Sequence, residues 1–136
     1  MMNPITVILA DNNRHIHESF KMLIYPLKDI RVAGEAHSGE EAISIANELR
    51  PDVMLMDINM SPVNGLEATK QILEKNPGIK IIGLSMHSDI SFCKSMMSLG
   101  AYGYLTKAST YREIIDAIKE VAVGKKYIDK KIAAVI

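Results

Sequence analysis

The sequence has no tryptophan, a single cysteine and no excess of either charge. Because Cys93 stands alone, an intrachain disulfide and a cysteine-based zinc site are both excluded. Sixteen basic residues balance sixteen acidic ones, which argues against direct nucleic-acid binding through phosphate neutralisation. No run of about eighteen apolar residues occurs, so no membrane span is expected. The first residues also lack the layout of a signal peptide, and we expect a cytoplasmic protein.

The sequence contains enough apolar residues to form one hydrophobic core. The chain has 136 residues, of which 48% are hydrophobic. This length suits one domain and is short for two. We expect a domain over residues 1–124, followed over residues 125–136 by the start of a linker or of a C-terminal helix.

Short apolar runs alternate with stripes of helical spacing along the chain. The predicted strands β1 to β5 are Ile5–Ala10, Ile30–Ala36, Val53–Asp57, 79–85 and 102–106. The predicted helices α1 to α5 occupy residues 16–26, 38–51, 64–76, 89–99 and 109–124, with Asp89 as the expected N-cap of α4. This alternation is typical of a doubly wound α/β protein, in which a parallel sheet is covered on both faces. In such sheets the functional crevice lies beyond the carboxyl ends of the strands.

Polar side chains follow four of the five predicted strands. They are Asp11 and Asn12 after β1, Asp57 at the end of β3 with Asn59 just beyond it, Ser85 at the end of β4, and Thr106 at the end of β5 with Lys107 just after it. Parallel strands bring these residues to one rim, where oxygen ligands suit Mg²⁺. A lysine and a hydroxyl can hold the oxygens of a phosphoryl group. Asp57, between them, is a candidate carboxylate nucleophile that could form an aspartyl phosphate.

Each member of this set also has a simpler interpretation. Asp57 could begin a solvated loop, and Asp11 could be the N-cap of α1. Ser85 could be a strand-end hydroxyl without a role, and Lys107 a solvated lysine before a helix. Their joint occurrence at the corresponding ends of four strands favours the functional interpretation.

Four motifs together make nearly the whole sequence resemble the receiver domain of two-component response regulators, in particular the NarL/FixJ (LuxR-type) subfamily. They are Met56-Asp57-Ile58-Asn59-Met60, Asn64-Gly65, the run 82–87 and the run 100–108. The resemblance implies a flavodoxin-like (βα)5 three-layer sandwich with strand order 2-1-3-4-5. It also implies a signalling switch rather than an enzyme acting on metabolites.

The resemblance assigns a role to each residue at the rim. Asp57 would accept a phosphoryl group from a sensor histidine kinase. Mg²⁺ would be held by Asp11, Asp57 and the backbone carbonyl of Asn59, with Asn12 as a further ligand. Ser85 and Lys107 would contact the phosphoryl group.

The resemblance also implies how phosphorylation would be read out. Tyr104 would be an aromatic switch that turns inward, and the α4-β5-α5 or α1-α5 surface would bind a partner or a second copy. Members of the subfamily usually control transcription through a helix-turn-helix domain after the receiver. None is present in this sequence, so we expect either a truncated chain or a stand-alone receiver.

Asn12 is the main departure from the family pattern, which has two adjacent acids after β1. An amide oxygen can ligate Mg²⁺ without formal charge, so weakened Mg²⁺ binding is expected. This departure favours an alternative in which the chain is a pseudo-receiver, a protein-interaction module that works without phosphorylation. A phosphohydrolase using Asp57 on external substrates is disfavoured by the short loops. A dinucleotide or flavin site is disfavoured because no glycine-rich loop follows β1.

The histidines do not fit this set of roles. His15 and His17 lie near the start of α1, two residues apart, and therefore not on one helix face. His87 follows Ser85 closely. We interpret all three as solvated surface histidines, with a metal or acid-base role as the alternative.

Overall fold

The computed structural model describes residues 3–61, 63–86 and 90–136. His87 and Asp89, and with them the predicted cap of α4, lie outside these residues. The strands are β1 (Ile5–Ala10), β2 (Ile30–Ala36), β3 (Val53–Asp57), β4 (Lys80–Ser85), β5 (Gly103–Thr106) and β6 (Tyr127–Ile128). The helices are α1 (Arg14–Ile24), α2 (Gly39–Leu49), α3 (Gly65–Lys75), α4 (Ile90–Leu99), α5 (Tyr111–Ala122) and α6 (Lys130–Ala133).

The strands form one parallel sheet in the order β2-β1-β3-β4-β5-β6. The predicted order 2-1-3-4-5 is therefore confirmed, and one short strand extends it. The order reverses direction between β1 and β3, which lie side by side in the middle of the sheet. Such a reversal opens a crevice at the carboxyl ends of these two strands.

Two apolar layers cover the sheet, because successive side chains of a strand point to opposite faces. Ile8, Met54 and Met56 face a core shared with α2, α3 and α4. Leu9 and Leu55 face a second core shared with α1 and α5. Every residue of β3 is buried, as an apolar run in a sheet covered on both faces requires.

Polar side chains cap the amino ends of four helices. Asn13, Ser38, Asn64 and Thr110 each accept a hydrogen bond from a backbone N–H in the first turn of α1, α2, α3 and α5. Gly100, with φ of 108°, follows α4 in the left-handed region that glycine adopts most easily.

The segment after α5 packs against the sheet. β6 pairs with β5, and Ile132 of α6 is fully buried in the core. The buried Asp129 caps α6 and accepts a hydrogen bond of 2.8 Å from the Ser109 hydroxyl. The division of the chain at residue 124 stays a prediction, but residues 127–133 share the core of the rest.

Among the described residues, no helix has the length and apolar character that crossing a lipid bilayer requires.

Candidate functional site

Asp11 and Asp57 lie at the carboxyl ends of the two central strands. Both are buried, with 0% and 2% of their surface exposed. Each carboxylate turns back onto the backbone two residues later. Asp11 Oδ1 accepts from the N–H of Asn13 at 2.8 Å, and Asp57 Oδ1 accepts from the N–H of Asn59 at 3.0 Å. These short-range bonds hold the second oxygen of each acid toward the crevice.

Lys107 joins the two acids. Its Nζ lies 2.9 Å from Asp11 Oδ2 and 3.2 Å from Asp57 Oδ2. The lysine follows β5, and its backbone N–H donates to the carbonyl of Ser85 at 2.8 Å. β4 therefore fixes where the lysine leaves the sheet, and the side chain crosses over to β1 and β3. The structure thus brings together three of the residues predicted from sequence.

The two carboxylates keep Lys107 charged. Burial by itself lowers the pKa of the ammonium, but the hydrogen bond to Asp11 and the charges of Asp11 and Asp57 outweigh it, so the net shift is upward. At neutral pH the ammonium is a permanent cation between two buried anions. A group that carries additional negative charge would meet this cation at the rim.

The other predicted site residues lie around this trio. Ser85 ends β4 and is buried, and it pairs in register with Thr106 of β5. Asn12, directly after Asp11, and Asn59, two residues after Asp57, are both exposed. The metal-binding and phosphoryl-binding roles of these residues stay predictions.

Tyr104 points into the protein. Its side chain is fully buried in the core between the sheet and α4. The ring lies over Gly83, where an added Cβ would come within 2.9 Å of Tyr104 Cδ1. Tyr104 already lies inward in this structure, whereas the resemblance implies that it turns inward when the switch operates, so its function as a switch stays a prediction.

The donor atoms at the rim fit Mg²⁺. They are carboxylate oxygens of Asp11 and Asp57, each with lone pairs left after its hydrogen bonds. Mg²⁺ takes one or two carboxylates from a protein and keeps several waters. Asp11, Asp57, the backbone carbonyl of Asn59 and the amide oxygen of Asn12 would supply the ligands.

One residue next to the site was missed from sequence. His17 is buried, not solvated, and its Nε2 lies 2.7 Å from the carbonyl oxygen of Asp11. The interpretation as a surface histidine is therefore wrong for His17. Its spacing of three and seven residues from Phe20 and Ile24, the other buried residues of α1, is the signal that could have placed it on the inner face.

A model of a known protein family matches most of the chain. The family model for the response regulator receiver domain matches residues 7–119. The chain belongs to this family. A receiver domain is a signalling domain of two-component response regulators and not a conventional enzyme.

Curated relatives of the receiver chain are response regulators. It is 34% identical over 129 residues to the response regulator GacA of Pseudomonas aeruginosa, covering 95% of this chain and 60% of that one. Over the same length it is 36% identical to UvrY of Escherichia coli, covering 95% and 59%. Transcriptional regulatory protein DegU of Brevibacillus brevis is 35% identical over 130 residues, covering 96% and 55%. The chain thus spans less than two thirds of the length of these relatives.

Solved structures show the same fold. A LuxR-family two-component response regulator from Aurantimonas sp. SI85-9A1 superposes with a TM-score of 0.92 at 28% identity, covering 97% of this chain and 94% of that one. The isolated REC domain of RcsB from Salmonella enterica serovar Typhimurium, with the phosphomimetic BeF3-, gives 0.88 at 20% identity and covers 98% and 99%. The predicted fold and the predicted NarL/FixJ-type membership are confirmed.

Proposed function

We propose that this receiver domain is switched by phosphorylation of Asp57, with a sensor histidine kinase as the donor and Mg²⁺ as the cofactor. The observation that carries the proposal is the position of Lys107 between the buried Asp57 and Asp11. A buried carboxylate at the switch point of the sheet, beside a permanent cation and a second acid, is suited to phosphoryl transfer.

In the transfer, an oxygen of Asp57 forms a bond to phosphorus as the bond to the donor's imidazole nitrogen breaks. The electron pair of that bond returns to the imidazole, which takes up a proton. Negative charge accumulates on oxygens within reach of Lys107 Nζ, so the ammonium stabilises the product. Bound Mg²⁺ would supply further stabilisation of the same charge.

The proposed output is a change at the α4-β5-α5 surface. Ser85 and Tyr104 lie on neighbouring strands, and Ser85 ends β4 at the rim. A hydrogen bond from Ser85 to the new phosphoryl group would draw in the segment after β4 and hold Tyr104 in the inward position that it already occupies. Such a rearrangement couples a local charge event to a distant surface.

The rearranged surface is proposed to form a homodimer, through α4-β5-α5 or α1-α5. The relatives named as response or transcriptional regulators support a transcriptional output, exerted through a DNA-binding domain. A cytoplasmic location is part of the same proposal.

The proposal is tested with a small phosphodonor. The intact mass of the chain is measured after incubation with acetyl phosphate, with Mg²⁺ and with a chelator. We expect one phosphoryl group to be added with Mg²⁺, little with the chelator, and none in Asp57→Asn. Size-exclusion chromatography of the modified chain then tests dimer formation separately.

A pseudo-receiver that works without phosphorylation is the second candidate, and Asn12 is the observation that favours it. With an amide at this position the pocket has two carboxylates instead of three. If the wild type stays unmodified at saturating phosphodonor and Mg²⁺, while Asn12→Asp becomes modified, the pseudo-receiver is the better description.

A further inference from the structure

A second group of metal-ligating side chains lies beside α1, outside the pocket of Asp11, Asp57 and Lys107. It consists of His17 on α1, Glu35 near the end of β2, and His37 directly after β2. One ligand atom from each residue lies within 4.8 Å of the other two.

One ring nitrogen of the buried His17 has no hydrogen-bond partner among the described residues. Because a carbonyl oxygen only accepts hydrogen bonds, His17 Nε2 carries a hydrogen and donates it to Asp11. In the neutral ring, Nδ1 is then an acceptor. It is buried without a hydrogen-bond partner among the described residues and lies 3.4 Å from Glu35 Oε1, which is also an acceptor. Two acceptor atoms that face each other at this distance leave a place for a positive charge between them.

The second histidine is oriented in a complementary way. His37 Nδ1 lies 3.3 Å from Glu41 Oε1. A carboxylate accepts, so Nδ1 carries the hydrogen and Nε2 keeps the lone pair that a metal requires. Both rings therefore donate through one nitrogen to an oxygen and keep the other free, as metal-ligating histidines do in proteins. The two ring centroids are 4.6 Å apart.

The carboxylate between the histidines is ionised. A hydrogen bond from Lys21 lowers the pKa of Glu35 by more than burial raises it. Lys21 Nζ lies 2.9 Å from the same Oε1, but half of this lysine's side chain is exposed. Lys21 can therefore move into solvent and leave its place to a metal ion.

We propose that His17, Glu35 and His37 bind one divalent transition-metal ion of the Zn²⁺ class, with water in the fourth position. Two imidazoles and one carboxylate are an established ligand set for zinc. In a tetrahedral site with bonds of about 2.0 to 2.1 Å, ligand atoms are about 3.3 Å apart. His17 and Glu35 already meet this spacing. The half-exposed side chain of His37 can adjust to it, since the three ligand atoms lie within 4.8 Å of one another.

The site is independent of the proposed phosphorylation, but it is connected to that pocket. His17 bonds the backbone of Asp11 and would bond the metal through the other nitrogen of the same ring. A bound ion would thereby fix α1 to the end of β2 and hold the carbonyl of the residue that supplies one of the pocket acids.

The test is calorimetric titration of Zn²⁺ into the full chain, free of any affinity tag and in excess Mg²⁺. We expect one Zn²⁺ per chain. His37→Ala should abolish this binding, and Glu41→Gln, which removes the charge that orients His37, should weaken it about tenfold. His15→Ala is the matched control, because His15 is an exposed histidine of the same helix, and it should bind like the wild type.

A parallel titration of Asp57→Asn separates the two sites. Unchanged Zn²⁺ binding in this variant supports the proposed site. The proposal is overturned if Zn²⁺ does not bind, which would leave only a proton between His17 and Glu35. It is also overturned if binding survives in His37→Ala, or if Asp57→Asn abolishes it.

Discussion

The trio of Asp11, Asp57 and Lys107 is held by charges that offset one another. Two carboxylates of which almost nothing is exposed face one ammonium that is 15% exposed. Removal of one partner from a buried ion pair is costly, since it leaves an uncompensated charge away from water. The lysine is therefore as important for the stability of the domain as for its proposed chemistry.

Lys107→Met should destabilise the domain by about 3 kcal/mol in Mg²⁺-free buffer at neutral pH. The methionine keeps most of the side-chain volume, so the loss reports the charge. Urea unfolding measures it. Lys119→Met is the matched control, since its pair with Asp29 is exposed and screened by solvent, so its loss should cost much less stability. Equal stability of the two variants would contradict this view of the pocket.

Asn12→Asp should tighten Mg²⁺ binding. One added charge at about 5 Å and an effective dielectric of about 20 is worth about 3 kcal/mol before solvation. Repulsion from the other acids offsets part of it, so we expect about a tenfold gain in affinity by titration. Asn13→Asp adds the same charge one residue further on, at a helix cap, and should have less effect. An equal or weaker affinity of Asn12→Asp would disprove the expectation.

At the scale of elements, the start of α3 is pressed against the end of β3. An added Cβ at Gly65 would overlap the carbonyl oxygen of Asp57 and the Cα of Ile58. The N–H of Gly65 also donates to the carbonyl of Ile58 at 3.2 Å. Glycine is thus needed at this position because backbone approaches backbone, and the contact fixes the loop that carries Asn59.

Gly65→Ala should destabilise the domain by about 2 kcal/mol, since neither backbone segment can move aside cheaply. It should also slow modification of Asp57 by acetyl phosphate. Gly78→Ala is the control, because an added Cβ at Gly78 meets nothing within 4 Å, and it should change stability by less than about 0.5 kcal/mol. If both glycine variants unfold at the same urea concentration, the close approach has no energetic consequence.

Glu113 of α5 forms hydrogen bonds that hold β6 and the start of α6 against α5. Its Oε2 accepts from the Tyr127 hydroxyl at 3.1 Å and from the N–H of Lys130 at 3.0 Å. Burial, the hydrogen bond to Glu113 and nearby carboxylates raise the pKa of Tyr127 to about 12. In the unfolded chain the phenol ionises near 10. The folded state therefore keeps the proton longer, and stability from this group is lost as the pH rises from about 10 to about 12.

Tyr127→Phe should be less stable than the wild type by about 1 kcal/mol at neutral pH. The difference in stability should shrink above pH 10, because only the wild type has a phenol at this position whose ionisation destabilises the folded state. Urea unfolding at neutral pH and between pH 10 and 12 checks it. Tyr111→Phe, at a mostly exposed tyrosine, controls for general alkaline effects. A constant difference across the range would show that the hydroxyl is not the cause.

The sequence predicted the strands and helices well where periodicity and caps agree. β1, β2 and β3 have the predicted bounds. β1 and β3 are apolar runs, the first followed by Asp11 and the second ending at Asp57. β6 was not predicted, because two residues give no period to read. His17 was placed on the surface by its residue type, whereas tertiary packing buries it against Asp11.

The candidate site could be predicted in position but not in its contacts. Parallel strands bring Asp11, Asp57 and Lys107 to one rim whatever their side chains do. In the structure one ammonium bridges both acids. This contact depends on side-chain rotamers and on the path of the chain after β5, and a sequence pattern predicts neither. The cluster of His17, Glu35 and His37 was missed for the same reason, since it joins a helix and a strand that only the fold brings together.

For the whole molecule, one rim carries the proposed chemistry, and the flanking surfaces are those of the proposed output. The rim is formed by the ends of β1, β3, β4 and β5. A change in charge at the rim therefore acts on residues of four strands. A sheet covered on both faces transmits such a change as movement of its covering helices, because the packed core does not deform continuously. The central claim is that the change begins at Asp57.

Chemical localisation of the phosphoryl group tests that claim most directly. The chain is treated with acetyl phosphate and Mg²⁺, then reduced with borohydride, which converts an acyl phosphate of aspartate to homoserine. Peptide mass analysis then locates the reduced residue. We predict reduction at Asp57 alone, and none in the sample without phosphodonor. Reduction at Asp11 or another carboxylate, or no reduction in a folded sample saturated with Mg²⁺, would contradict the account.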